Sequence, residues 1–95
     1  MEQQVYFQAT VLELLEHSIL VEPVDGSQEL SSSDQISFGK DSIQDKDSQK
    51  VIESLHVGDV IEIEYDGYIQ ESYPAGITAS KIKLVSTASE NDTNQ

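Results

Sequence analysis

The chain has 95 residues, with 18 acidic side chains against five basic ones, all of them lysines, and it contains no cysteine or tryptophan. Its formal net charge of −13 excludes the usual electrostatic route to nucleic acid or an anionic membrane, since both are polyanions. The length suits one small domain, and the lack of cysteine excludes disulfides, thiolate nucleophiles and cysteine-ligated zinc. Leu, Ile, Val and Phe together supply about 27% of the residues, above the roughly 20% below which a charged chain stays disordered, so we expect a folded domain.

The first 24 residues predict a β-hairpin whose first strand is bent. Alternate positions from Val5 to Val11 are apolar, which is the period-two pattern of a strand with one buried face. At Leu12 the apolar positions move to the other face, and such a change indicates a β-bulge or a sharp bend. A short helix through the stretch LELLEH is the alternative. A turn at 16–18 and a second strand at 19–24 complete the hairpin.

The middle of the chain is polar, apart from one strand-like stretch at 36–38. A short helix is predicted after it, because Val51 and Leu55 are spaced i,i+4 and therefore share a helix face. Asp47 or Ser48 is expected to cap its N-terminus, since these side chains accept hydrogen bonds from the first free N–H groups of a helix. A helix of about two turns is too short to be stable alone in water, so it must pack on the rest of the domain.

The segment VIEIEY, residues 60–65, predicts another strand, with Tyr65 on the same face as Ile61 and Ile63. The dipeptide Asp66-Gly67 that follows is typical of tight hairpin turns. We therefore expect the next residues, YIQE, to return as a paired strand.

The remaining segments predict the end of the domain. A type I turn is expected at 73–76, with proline at its second position and glycine at its fourth. A closing strand follows at 77–85, with Leu84 directed inwards. Residues 86–95 have no large apolar side chain and are predicted to be a disordered tail, so the single folded domain is expected to span 1–85.

The order of these elements predicts an all-β domain, a small OB-fold-like Greek-key barrel of five to six strands with one short helix between strands 3 and 4. A long, bulged first strand suits such a barrel, because it takes part in both halves of the closed sheet. The rival architecture is a helix packed on a meander sheet.

The segment YDGYIQESYPAGI, residues 65–77, resembles the signature of an uncharacterised domain family of Gram-positive bacteria. Members of that family commonly carry a YDG-x-I-x-E-S-YPA-x-I stretch after a strand that begins with VGD. The segments ATVLELLEHSILVEP and SSDQIS are also similar to the family, so the resemblance covers about residues 5–85. It implies a small OB-like barrel, and many relatives are exported or lipid-anchored. The family has no established activity, so the resemblance implies no site residues.

The sequence offers little support for catalysis. His17 and His56 match no metal or nucleophile motif. Glu62 and Glu64 project from one strand face, about 6–7 Å apart by the strand rise, and could form a carboxylate pair of a hydrolase. A solvated outer strand face is the better interpretation, so we expect no enzyme and no cofactor.

A cation site is the next possibility, because Asp41, Asp45 and Asp47 lie close together in one polar loop. Hard cations such as Ca²⁺ prefer carboxylate oxygens. The loop lacks the glycine and the glutamate that an EF-hand loop needs, and lysines interleave with its aspartates. We therefore expect a solvated, helix-capping loop and no bound metal.

The aromatic residues give the best candidate for a ligand or partner surface, because many OB barrels contact their ligands through aromatic side chains. Tyr65, Tyr68 and Tyr73 lie within nine residues, and Phe38 ends the segment 31–38, which we group with them. Packing of these rings in the core or in turns is the alternative.

The predicted function is a non-catalytic OB-like module that binds a protein, a peptide or a small ligand, with the cell envelope as one candidate location. Single-stranded nucleic-acid binding is an alternative that the fold permits, but the chain lacks the basic stripe it needs. Hydrolysis through Glu62 and Glu64 is the other alternative. No apolar run is long enough to span a membrane, and no signal peptide is recognisable, so the cytoplasm is the default expectation unless such a segment was removed.

Overall fold

The computed structural model describes residues 4–88 of the chain, which form six strands and two short helices. In chain order these elements are β1 Val5–Leu14, β2 Ser18–Pro23, α1 Glu29–Ser32, β3 Ile36–Gly39, α2 Lys46–Ser54, β4 Val60–Tyr65, β5 Ala75–Ile77 and β6 Ala79–Ser86.

The six strands form one sheet that closes into a barrel. Its order is β5-β3-β2-β1-β4-β6, and only Thr78 separates β5 from β6 along the chain. β5 pairs in parallel with β3 at one end of this order, and β6 pairs antiparallel with β4 at the other end. Because β5 and β6 follow each other in one extended segment, this segment joins the two ends of the sheet. The predicted OB-like Greek-key barrel is confirmed, and the meander sheet is not formed.

β1 takes part in both halves of the barrel, as the bent-strand prediction requires. Its first part pairs with β4 from Val5 to Thr10, and its second part pairs with β2 from Ala9 onwards. The register with β2 shifts between Val11 and Glu13, so Leu12 is the extra residue of a β-bulge. The alternative helix through LELLEH does not form.

The chain after β4 differs from the prediction. Residues 68–71 form no strand, and Gln70 makes only one isolated bridge, to Gly76. The predicted hairpin is wrong because β6 occupies the edge of β4 that the returning strand would need. The predicted type I turn is also wrong: the Tyr73–Pro74 peptide bond is cis, and the following residues extend as β5.

The structure has two helices between residues 4 and 88, whereas the sequence predicts one. α2 lies between β3 and β4 as predicted, but its cap is Asp45, whose side chain accepts a hydrogen bond from the backbone N–H of Ser48. Ser48 is fully buried inside the helix, so neither predicted cap residue is the cap. α1 was not predicted, because a four-residue helix gives no periodic signal in a polar segment.

The core fills the barrel with alternate residues of every strand. Its buried apolar residues are Phe7, Ala9, Val11, Ile19, Val21, Ile36, Phe38, Ile43, Leu55, Ile61, Ile63, Tyr65, Ala75, Ile77, Ala79 and Ile82. Leu84 was expected to point inwards, but it is 40% exposed. The register of β6 with β4 shifts between Leu84 and Ser86, and this irregularity at the end of the sheet leaves the Leu84 side chain partly outside the core.

The predicted tail begins at Ser86, which is the last residue of β6. The backbone N–H of Ala88 donates to Asp59, so the chain stays attached to the barrel there. The rest of the predicted tail, 89–95, lies outside the described residues. Neither helix between residues 4 and 88 is long and apolar enough to cross a membrane.

Candidate ligand surface at the tyrosine loop

Residues 66–74, which we call the tyrosine loop, connect β4 to β5 at one end of the barrel. The loop begins with a turn in which the Asp66 side chain accepts a hydrogen bond from the backbone N–H of Tyr68. Gly67 between them has φ +90°, a conformation that side chains disfavour, so glycine is needed at this position. Two backbone hydrogen bonds between Gln70 and Gly76 of β5, of 2.7 and 3.2 Å, close the second part of the loop, which carries Tyr73.

Two of the four predicted surface residues lie in the core. Phe38 is 1% exposed and Tyr65 is 2% exposed, so neither ring can meet a ligand from solvent in this structure. The Tyr65 hydroxyl donates to the carboxylate of Glu29 at 2.8 Å, and its ring packs edge-on against Phe7 with 5.4 Å between centroids. Burial raises the pKa of Tyr65, and the hydrogen bond to Glu29 raises it further.

The other two lie in solvent, where a ligand can reach them. Tyr68 and Tyr73 are each 68% exposed. The Tyr73 hydroxyl donates to Asp34 at 2.9 Å, and this hydrogen bond raises the pKa of Tyr73 above its ordinary value. The same contact ties the tyrosine loop to the segment before β3, and the backbone N–H of Ala75 donates to Gln35 beside it. The loop and the segment 31–38 are therefore neighbours, as the sequence analysis grouped them.

A cleft of about 450 Å³ separates α1 from the tyrosine loop. Small-molecule sites commonly have volumes of about 300–1,000 Å³, so the cleft is large enough for a small ligand or a side chain of a partner. Its lining is mostly polar and consists of Ser31, Ser32, Ile69, Glu71, Ser72 and Ala75. We call this cleft, together with the rings of Tyr68 and Tyr73, the tyrosine surface.

The charge around the tyrosine surface has one sign. The connections 24–35 and 66–74 together contain five carboxylates and no lysine, arginine or histidine. Glu29 is buried against Tyr65, whereas Asp25, Asp34, Asp66 and Glu71 are exposed. The electrostatic potential here is therefore negative, and it opposes an anionic ligand.

Glu62 and Glu64, the candidate hydrolase pair, lie on the outer face of β4 beside a second cleft of about 360 Å³. Across the strands, Glu62 stands opposite Lys83 and Glu64 stands opposite Lys81. Opposite charges at facing positions are typical of an exposed sheet surface, where each pair adds a little stability. The arrangement gives the hydrolase hypothesis no support.

In the polar loop that contains Asp41, Asp45 and Asp47, the Asp45 side chain has a structural role. Its carboxylate accepts from the backbone N–H and from the hydroxyl of Ser48, each at 3.0 Å. These hydrogen bonds lower the pKa of Asp45, chiefly through the backbone N–H. The predicted helix-capping loop is therefore confirmed at this residue. Within residues 4–88, no three His, Asp or Glu side chains are placed to share a metal ion.

Sequence reasoning missed two carboxylates that bind tyrosine hydroxyls, one in the core and one at the tyrosine surface. Glu29 and Asp34 are 36 and 39 residues away from their tyrosine partners, so no local pattern links them. Asp59 of the VGD segment was also unassigned. It is buried, and it accepts from the backbone N–H groups of His56 and Ala88, which fixes the entry into β4.

Residues 8–86 match the family described as "Protein of unknown function (DUF3221)", and the chain belongs to this family. This agrees with the resemblance to an uncharacterised family, whereas the family signature and export or lipid anchoring stay predictions. The sequence has no match among curated proteins.

Three solved structures share the fold at low sequence identity. The crystal structure of a YobA protein from Bacillus subtilis, a Gram-positive bacterium, has a TM-score of 0.62 at 13% identity and covers 90% of this chain and 98% of that chain. The solution structure of Bacillus subtilis YobA 21–120 has a TM-score of 0.59 at 15% identity, covering 88% and 83%. The mitochondrial single-stranded DNA binding protein Rim1 from S. cerevisiae has a TM-score of 0.53 at 14% identity, covering 92% and 98%.

Proposed function

We propose that this DUF3221 domain is a non-catalytic binding module that contacts a protein or peptide partner through the tyrosine surface. The observation that carries the proposal is the exposure of two tyrosine rings on one loop that hydrogen bonds hold in place. Tyr68 and Tyr73 are both 68% exposed. The backbone at Tyr68 is held by the turn with Asp66, and Tyr73 lies in the stretch closed by Gln70 and Gly76 and is tied to Asp34.

Such rings are well suited to binding. A tyrosine side chain offers a large apolar face and a polar hydroxyl, and it loses little conformational entropy when it is fixed. The bonds that hold the loop reduce the ordering cost of association further, because part of the loop is already in one conformation. The hydroxyl groups of Ser31 and Ser72 in the polar cleft donate to Gln28 and Pro74, so their oxygens can accept from backbone N–H groups of a peptide.

Single-stranded nucleic-acid binding is the second candidate function. The observation in its favour is the fold that the chain shares with the single-stranded DNA binding protein Rim1. The net charge of −13 opposes it, because such proteins bind the phosphate backbone through a positively charged groove. The likeness of fold carries no ligand by itself, so we rank this function below partner binding.

Selection from a displayed library of random peptides tests the proposal. The full chain is the bait, and enriched peptides are then measured against Tyr68→Ser, against Tyr73→Ser and against the control Val57→Ser. Val57 is also exposed, but it lies next to the start of β4, at the opposite end of that strand.

We expect enriched peptides to lose affinity for both tyrosine variants and to keep it for the control. Enrichment that is insensitive to both tyrosines, or no enrichment at all, contradicts the proposal. A thermal melt of each variant shows whether a lost affinity reflects a lost fold, and Tyr68→Ser changes a side chain that is 68% exposed.

A further inference from the structure

We propose that the partner of the tyrosine surface is a cationic peptide segment, one that presents lysine or arginine side chains to the two exposed rings. This inference rests on the proposed function and adds the chemical class of the partner. It joins three observations: the carboxylates around the surface, the position of the lysines elsewhere, and the exposed aromatic faces.

The carboxylates come first. Of the five in the two connections that border the tyrosine surface, Asp25, Asp34, Asp66 and Glu71 are exposed, and no basic residue of either connection lies among them. Glu71 lines the cleft itself. Asp34 bonds to Tyr73 and Asp66 begins the tyrosine loop, so these carboxylates and Glu71 lie at the surface, where their charge opposes an anion and favours a cation.

The lysines lie outside the two connections that border the tyrosine surface. Three of the five, Lys40, Lys46 and Lys50, are on α2 or in the connection that leads to it. Lys81 and Lys83 are on β6, where they stand opposite carboxylates of β4. The positive charges of the protein therefore partly balance the surface near α2 and β6, while the connections around the tyrosine surface have no such balance.

The exposed rings supply the third element. The face of a tyrosine ring carries partial negative charge, and it attracts an ammonium or guanidinium group placed over it. Tyr73 is joined to the Asp34 carboxylate, so a cation over this ring also lies close to a formal negative charge. One oxygen of Asp34 accepts from the tyrosine, and a carboxylate has room for further N–H donors. Ring and carboxylate thus form one composite acceptor for a lysine or arginine head group.

A peptide is the occupant that these features fit best. The cleft offers hydroxyl groups and the apolar side chains of Ile69 and Ala75 besides its carboxylate, which suits a chain with a backbone and mixed side chains. A small polyamine would use the charge alone. A second copy of this chain is unsuitable, because each copy carries −13 and would bring like charges together.

Nuclear magnetic resonance titrations of the isotope-labelled full chain test the inference. The probes are three short peptides that are identical except at their variable positions, which carry Lys, Ser or Glu, together with spermidine. We expect saturable shifts only with the Lys peptide, confined to residues of the tyrosine loop and of 31–35, and weaker as salt is raised.

Two charge-neutralising variants and one control sharpen the result. Asp34→Asn keeps an oxygen that can accept from Tyr73, and Glu71→Gln is an exposed change, so both should stay folded. Each is expected to weaken binding of the Lys peptide several-fold. The control Glu62→Gln removes the same charge from the outer face of β4 and should leave the affinity unchanged.

Equal binding of the Lys and Ser peptides at the tyrosine loop overturns the cationic partner while leaving the proposed function intact. Binding that Glu62→Gln weakens as much as Asp34→Asn shows a general charge effect and also overturns it. The cationic peptide is also overturned as the partner if spermidine produces the same shifts with equal affinity, or if the Lys peptide shifts no residue of the loop. The library selection with the tyrosine variants then decides the proposed function separately.

Discussion

Tyr65 and Tyr68 are three residues apart, and one lies in the core while the other lies in solvent. The sequence contains the signal for Tyr65, because it continues the row of Ile61 and Ile63 on the buried face of β4. It contains no signal for the partner of its hydroxyl, Glu29, which is 36 residues away. Burial of a side chain follows from local periodicity, whereas the pairing of a buried polar atom depends on the closed fold.

The buried hydroxyl of Tyr65 should matter for stability. Tyr65→Phe leaves the Glu29 carboxylate buried without this donor, so we expect a loss of about 1–3 kcal/mol in the free energy of unfolding. Urea denaturation followed by circular dichroism measures it. Tyr68→Phe removes a hydroxyl from an exposed ring and is the matched control, with little expected change. Equal stability of the two variants would show that the Glu29 bond contributes nothing.

Tyr65 and Tyr73 predict how the stability of the fold responds to alkaline pH. The pKa of Tyr65 and that of Tyr73 are both raised in the folded state, above the unfolded value of about 10. Burial is the main cause for Tyr65 and the hydrogen bond to Asp34 is the main cause for Tyr73. The protonated tyrosines therefore contribute their full stability below pH 10, and this contribution is lost as the pH rises through the folded pKa values. Ultraviolet titration of the wild type and of Tyr65→Phe gives two curves whose difference is the ionisation of Tyr65. We expect this ionisation above the ordinary pH range of tyrosine. A missing step near pH 10 contradicts the account.

For single strands and helices, the predictions succeed where the spacing of apolar residues within the element indicates its structure. The bulge at Leu12 was visible as a change of face, and α2 was visible from the spacing of Val51 and Leu55. The hairpin after β4 was predicted from Asp66-Gly67 and does not form. Turn residues indicate that the chain turns there, but which strand fills the neighbouring edge depends on β6, which lies later in the chain.

α2 is attached to the barrel by Ser48, and this attachment gives a prediction. The Ser48 hydroxyl accepts from the backbone N–H of Ile82 at 3.0 Å and lies 3.1 Å from its carbonyl oxygen. Ser48→Ala leaves the buried N–H of Ile82 without its acceptor, so we expect a loss of about 1–3 kcal/mol in the free energy of unfolding. Ser54→Ala, at an exposed position of the same helix, is the control for helix propensity. A Ser48→Ala variant as stable as this control would contradict the attachment.

For the whole molecule, the fold leaves the ligand open and the charge narrows it. The closed barrel is shared with a single-stranded DNA binding protein at 14% identity, and this likeness of fold does not by itself make nucleic acid the ligand. The sequence already opposed that ligand through its charge of −13. What the sequence could not reveal is where the charge collects, because 24–35 and 66–74 meet only after the barrel closes. The structure joins the two connections through the hydrogen bond from Tyr73 to Asp34, and both connections lack lysine.

The proposed function requires that this OB-like barrel bind a partner other than nucleic acid through its acidic, tyrosine-bearing end. The most direct measurement is a fluorescence anisotropy titration of the full chain into labelled single-stranded DNA and RNA at low salt, where electrostatic binding is strongest. We predict no saturable binding of either probe. Saturable binding that weakens with salt and is lost in Tyr68→Ser would contradict the account, because it would place nucleic acid on the surface assigned here to a cationic peptide.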